Sequence, residues 1–208
     1  MLDTLRRIVL EVNAAKDLQK ALDIIVSKVR EAMHTEVCSA YLYDDEVKRY
    51  FLSATEGLNQ SAVGEVSLAY SEGIVGLAGS REELVNLEDA STHAKYQYLP
   101  GTGEEIYHAF MGVPIMHRRK LLGVLVIQQK EKRRFDENEE AFLFTMSAQL
   151  AAVIAHAEAT GALIDVKNPH KEQKDGKFKG VAGAPGIAIG TVAVIYPPAN
   201  LDAVPEKS

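Results

Sequence analysis

Six histidines are the first side chains in this sequence that could do chemistry, as metal ligands or proton carriers. They stand at His34, His93, His108, His117, His156 and His170, and no two are four residues apart. Protein-held metals need several ligands brought together at characteristic short spacings, so no metal site is expected. Cys38 is the one cysteine, which excludes an internal disulfide and fits a reducing, cytoplasmic setting. It alternates with Ala40 and Leu42, the pattern of a strand face turned to a core. Gly101-Thr102-Gly103-Glu104 is glycine-rich, but no strand precedes it, so it does not read as a phosphate loop. The net charge of −6 speaks against nucleic acid as a partner, because phosphate binding needs a basic face. Two basic clusters, Arg118-Arg119-Lys120 and Lys130 with Lys132-Arg133-Arg134, are local enough to be solvated turns or a helix approach.

Hydrophobic periodicity supplies the elements that would position these groups. Leu2, Leu5, Val9 and Val12 mark one amphipathic helix, and Leu18, Leu22, Ile25, Val29 and Met33 a second, with Asp17 as its N-cap. The period then shortens. Residues 37–43 and 50–55 read as a hairpin about Asp44-Asp45-Glu46, residues 63–68 as a third strand and 84–87 as a fourth. Between the last two, residues 73–79 read as a small glycine-rich helix packed close to its neighbours. Residues 88–108 form a polar loop with room for one helical turn. The strongest strands are 109–116 and 121–129, and Pro114 must sit where no ladder donor is needed or at a bulge. Asp136 caps a helix over 137–160 whose apolar stripe, with Phe142, Leu143, Met146, Leu150 and Ile154, is wider than one sheet face requires. That surplus predicts a homodimer through the first and last helices. The N-terminus is broken by charges too early for a signal peptide, and no stretch reaches the ~20 apolar residues of a membrane helix, so no membrane partner is expected.

The order helix, hairpin, strand, glycine-rich helix, strand pair and long final helix resembles the GAF domain family. The resemblance rests on Ser71-Glu72-Gly73-Ile74-Val75-Gly76-Leu77-Ala78, on Asn86-Leu87-Glu88-Asp89, and on Phe110-Met111-Gly112-Val113-Pro114-Ile115 followed by Leu122-Gly123-Val124-Leu125. It implies an α+β fold, a GAF-like antiparallel sheet flanked by helices, with a partial C-terminal β segment. Composition changes over 161–179, where lysine, glycine and polar residues mark a linker. Beyond it, Gly180-Val181-Ala182-Gly183-Ala184-Pro185-Gly186-Ile187-Ala188-Ile189-Gly190 resembles the start of the enzyme I family of the phosphoenolpyruvate-dependent phosphotransferase system. A GAF domain before that start is the layout of the family's nitrogen branch. The division expected is therefore 1–160 GAF sensor, 161–179 linker and 180–208 an incomplete opening of the phosphohistidine domain.

What these resemblances imply is regulation, with no catalytic residue in this chain. The phosphorylated histidine and the phosphoenolpyruvate site, with its Mg, belong to the parent enzyme and are expected beyond Ser208, as is contact with a phosphocarrier protein. His93, in Ser91-Thr92-His93-Ala94, lacks the glycine pair of the family's phosphoacceptor. Cys38 lacks the resolving thiol that methionine-sulfoxide-reducing GAF domains need. The signature of cyclic-nucleotide-binding GAF domains is absent too, since Phe135-Asp136-Glu137 has the wrong spacing and no Asn-Lys pair precedes it. The effector expected is a small nitrogen-status metabolite, glutamine or 2-oxoglutarate. It would lie between sheet and lid among Ser39, Tyr41, Gly73, Asn86, Asp89, Tyr96, Tyr98, Phe110 and Gly112. In that arrangement Asp89 meets an ammonium and the backbone near Gly73 a carboxylate. The competing reading is a dimerisation module with a filled pocket.

Overall fold

The computed structural model describes residues 2–160; the linker and the enzyme I-like segment expected at 161–208 lie outside the described residues. Two helices open the chain, α1 (Leu2–Asn13) and α2 (Leu18–Met33). The Asp17 side chain accepts from the Lys20 amide at 2.7 Å, which supplies one of the partners that helix-start N–H groups lack. The strands are β1 (Val37–Asp44), β2 (Arg49–Glu56), β3 (Ser67–Ala69), β4 (Val85–Leu87), β5 (Ala109–His117) and β6 (Lys120–Gln129). They form one antiparallel sheet in the order β3-β2-β1-β6-β5-β4. Helix α3 (Gly73–Arg81) covers one face of it, while α2 and α4 (Glu137–Ala159) cover the other, with α1 packed on α2. This is the α+β arrangement that the sequence predicts.

Every residue of β1 is buried, because both faces of the sheet are covered. Cys38, Ala40 and Leu42 face the helices, as their alternation requires, together with Met111, Val113, Ile115, Leu125 and Ile127. Tyr41, Tyr43, Leu52, Phe110, Val124 and Val126 face α3 and the loop 88–108, hereafter the lid. Pro114 lies past the end of β4, whose pairing stops opposite Gly112, so its missing donor leaves no gap. Its carbonyl accepts from the Ser147 hydroxyl of α4 at 2.9 Å.

Four expectations need correction. The third strand is Ser67–Ala69 rather than 63–68, because residues 60–66 form a short 3-10 turn (Gln60–Ala62) and then meet β2 through the pairs Gly64 N to Leu52 O and Leu52 N to Val66 O. The lid carries two 3-10 turns, Ala90–Thr92 and Glu104–Ile106. The wide stripe of α4 is used within the chain: Phe142, Leu143, Met146, Leu150 and Ile154 are all buried against the sheet and α2. Ridges on two sides of one helix can meet a sheet and a neighbouring helix at once, so stripe width alone does not call for a second copy. Length and composition would also let α4 span a membrane, contrary to the reading that no stretch comes close. Its Phe142, Leu143, Met146, Leu150 and Ile154 fill the core.

Candidate functional site: a small cavity between sheet and lid

Helix α3 begins without a side-chain cap. Glu72, at the N-cap, sends its carboxylate to the Ala69 amide at 2.7 Å and takes the Gln97 amide of the lid at 2.8 Å. Those bonds hold its pKa below the ordinary carboxylate value. The first backbone bond of the helix runs from Gly76 N to Glu72 O, so the amides of Gly73, Ile74 and Val75 are left for other partners. Gly73 sits at φ +67°, a conformation that glycine adopts without strain. A Cβ on Gly76 would collide with the backbone of Tyr70 and Ser71, which is the close packing the glycines of this segment predict.

The first turn of α3 walls a cavity of about 30 Å³. Its other walls are Leu68, the lid residues Ala90, Tyr96, Leu99, Glu104 and Tyr107, and Phe110 and Gln128 from β5 and β6. A volume of that size holds one or two waters, whereas small-molecule pockets run from roughly 300 Å³ upward. The lid is therefore closed here. Two bonds tie it to Asn59, which follows β2: Asn59 N to Thr102 O, and Asn59 Nδ2 to Gly101 O at 2.8 Å; Ala90 N to His108 O at 2.7 Å closes the two ends of the lid on each other. A larger hollow of about 380 Å³ lies between the α1–α2 turn and the far end of α4. None of the polar residues around that hollow is buried, so it lacks the fixed, desolvated groups that orient a ligand.

Glu104 is the most unusual group of the cavity. It is only 8% exposed and accepts from the Leu99 amide at 2.9 Å and from the Gln128 side chain. Burial pushes its pKa up to about 7, and no cation among the described residues offsets the desolvation of the carboxylate. Gln128 is itself 7% exposed, on a sheet face otherwise lined by Val124 and Val126. Sequence reading missed both residues. Glu104 stood in a glycine scrap, and Gln128 at the end of an apolar run; a polar residue at Gln128, two places on from Val126 and four from Val124 on the same strand face, was the available signal.

The residues expected to bind a ligand divide into three groups. Gly73, Tyr96 and Phe110 line the cavity. Ser39, Tyr41 and Gly112 lie on the same side of the sheet but beneath its packing: Ser39 shares a 2.7 Å hydrogen bond with Thr55, Tyr41 is buried, and Gly112 leaves room for the Phe110 ring. Asn86, Asp89 and Tyr98 are placed elsewhere. Alternation along β4 turns Asn86 to the opposite face, where it donates to Phe135 O and Glu140 and accepts from Phe135 N. Asp89 caps the first lid turn and accepts from Ser91 N and Oγ, from His108 and from Lys132 Nζ at 2.7 Å. Lys132 above all holds its pKa well below the usual carboxylate range. An Asp so occupied is not free to receive an ammonium. Tyr98 is 44% exposed and does not reach the cavity.

The remaining candidates are accounted for locally. His93 closes the first lid turn and accepts from Lys95 N. Burial raises the pKa of Cys38, which removes the thiolate that redox chemistry needs. Of the basic cluster before α4, Lys132 pairs with Asp89, while Arg133 grips Glu139 with two 2.8 Å bonds and lies over the Phe135 ring. Among the described residues no group of three or more His, Cys, Asp or Glu is placed to hold a metal.

The sheet order, the helix pair behind it and the lidded cavity before it define a sensor-type fold, and residues 17–154 match the model of the GAF domain. The chain belongs to the GAF domain family. It is similar to the GAF domain of a phosphoenolpyruvate-protein phosphotransferase from Acinetobacter, with 53% identity, TM-score 0.71 and coverage of 77% of this chain and 96% of that one. The corresponding domain from Coxiella burnetii is 49% identical, with TM-score 0.75 and coverage of 78% and 96%. A protein of the phosphoenolpyruvate-dependent phosphotransferase system from Salmonella typhimurium is 44% identical over 191 residues, 92% of this chain but 25% of that protein. The chain thus spans about a quarter of the length of the curated relatives it matches. A match over 191 residues must run past Thr160, into the segment whose sequence resembles enzyme I.

Proposed function

We propose that this chain is the regulatory sensor of a phosphoenolpyruvate–protein phosphotransferase of the nitrogen branch. It takes up a nitrogen-status metabolite, glutamine or 2-oxoglutarate, under the lid and thereby adjusts autophosphorylation of the parent enzyme. The observation that carries this is the cavity: buried polar groups converge beneath a lid in a domain about half identical to GAF domains of such enzymes. Chemistry stays with the parent, which uses phosphoenolpyruvate and Mg and hands its phosphate to a carrier protein in the cytoplasm. The lever is α4, which packs on β5 and leads towards the linker. A coupling of this kind is typically worth ~1–3 kcal/mol. The cavity must enlarge on binding, so the test is a melting and calorimetric titration of the chain. A saturating ligand at a hundred times its dissociation constant adds about 2.7 kcal/mol of stability. If neither metabolite shifts the melt at millimolar concentration, the sensor reading fails.

A second reading, assembly into a homodimer, keeps one observation in its favour. From Ala141 to Ala157 no residue of α4 is charged, and on its outer side Phe144 is 60% exposed beside Ala141, Ala148 and Ala152. A solvated helix face normally carries charge. Sedimentation of Phe144→Glu tests this directly. A dimer that survives the change does not use that face, and a wild-type monomer at high micromolar concentration ends the reading.

A further inference from the structure

Burying a carboxylate without a counter-charge is costly unless its partners satisfy it. Glu104 has hydrogen-bond donors in Leu99 and Gln128 but, among the described residues, no cation, and it stands in the cavity wall rather than in packed core. It also rides on the lid, whereas Gln128 belongs to the end of β6, an inner strand of the sheet. Two donors leave part of its acceptor capacity unused, since an ionised carboxylate offers about four lone-pair positions. The first turn of α3 also lines the cavity, and its amides, which precede the first helix bond, favour negative charge. The cavity is therefore polarised, with an anionic lid and an electropositive helix end.

We propose that Glu104, and not Asp89, is the anionic recognition group of this site, and that it receives the ammonium of a small amino acid while the lid closes over the ligand. The assignment rests on the sensor reading above and narrows it. A zwitterion fits both poles, whereas an oxo acid such as 2-oxoglutarate would set like charge against Glu104 in a desolvated space. The raised pKa fits the role: an approaching ammonium supplies the missing counter-charge and favours the ionised form.

The test is calorimetric titration of the chain with L-glutamine, with its deaminated analogue glutaramate, and with 2-oxoglutarate, repeated on Glu104→Gln. The wild type should bind glutamine about tenfold or more tightly than glutaramate, the range of a charge-assisted hydrogen bond. Glu104→Gln should bring that ratio close to one. A structural contribution by Glu104 would weaken both ligands alike and leave the ratio standing, which would overturn the assignment while sparing the sensor. A wild-type preference for 2-oxoglutarate over glutamine would do the same. Binding of none of the three would overturn both. If Glu104→Gln does not melt cooperatively, Glu104→Asp replaces it. Its withdrawn carboxylate should reduce the ratio, and an unchanged ratio would again overturn the assignment.

Discussion

The two faces of the sheet are built from different material. Behind it, α2 and α4 press on Cys38, Leu42, Met111 and Ile127, and the buried Ser147 hydroxyl is bonded to Pro114 O. In front, tyrosines replace aliphatics, Ser39 leans on Thr55, Glu104 and Gln128 are buried together, and the Tyr50 hydroxyl has no partner among the described residues. The rear face can hold one well-packed state. The front face carries polar groups whose partners can be exchanged, which is where a ligand-dependent change can occur at modest cost.

Breaking the rear face should have the largest effect. Leu150 is fully buried there, and Leu150→Ala is expected to cost about 3–4 kcal/mol in urea unfolding, since little around it can collapse into the space. A loss under about 1 kcal/mol would mean that the rear is as yielding as the front.

The front face should instead reveal itself through pH. Glu104 has a folded-state pKa near 7 against an ordinary 4.5, so the native state holds its proton more tightly than the unfolded chain. Its stabilisation is fully present below about pH 4.5 and is lost as pH rises through about 7. Relative to Glu104→Gln, the wild type should lose on the order of 2–3 kcal/mol between pH 5 and pH 8. Parallel stability curves would show that Glu104 is not desolvated.

Asn86 joins the two sides by fastening β4 to the start of α4. Asn86→Ala should cost about 2 kcal/mol, because it leaves the Phe135 backbone groups short of partners. It should leave the ratio of glutamine to glutaramate binding as in the wild type. A change in that ratio would place Asn86 in the site after all.

The smallest effect expected is a gain. Tyr50 packs its hydroxyl against Gly79 of α3, with no partner among the described residues. Tyr50→Phe removes an unsatisfied group and should raise stability by about 1 kcal/mol. A loss of similar size would reveal an ordered water bonded to the phenol.

Much of the architecture was legible because it depends on local rules. Asp17 and Asp136 were readable as caps, and Asp136 proves to form a full capping box with Glu139. Alternation placed Cys38 on the helix side, and Pro114 demanded the unpaired place it has beyond β4. The site was less legible. Asp89 and Asn86 looked like ligand groups because polar residues after a short strand often are, and nothing in their neighbours foretells that Lys132 and Phe135 come to meet them. The surplus width of α4 could not be assigned between a second copy and α2 without knowing how the two helices pack.

By itself, then, the sequence determined element types, their order and the family, since periodicity and capping act over a few residues. Tertiary structure alone decided which carboxylate stays ionised and which is starved of solvent. Asp89 and Glu104 both lie in the lid among polar neighbours. Lys132 reaches the first and holds its pKa down, while the second is turned inwards onto Gln128 and its pKa rises. Charge state follows from distance and burial, and chain order records neither of them.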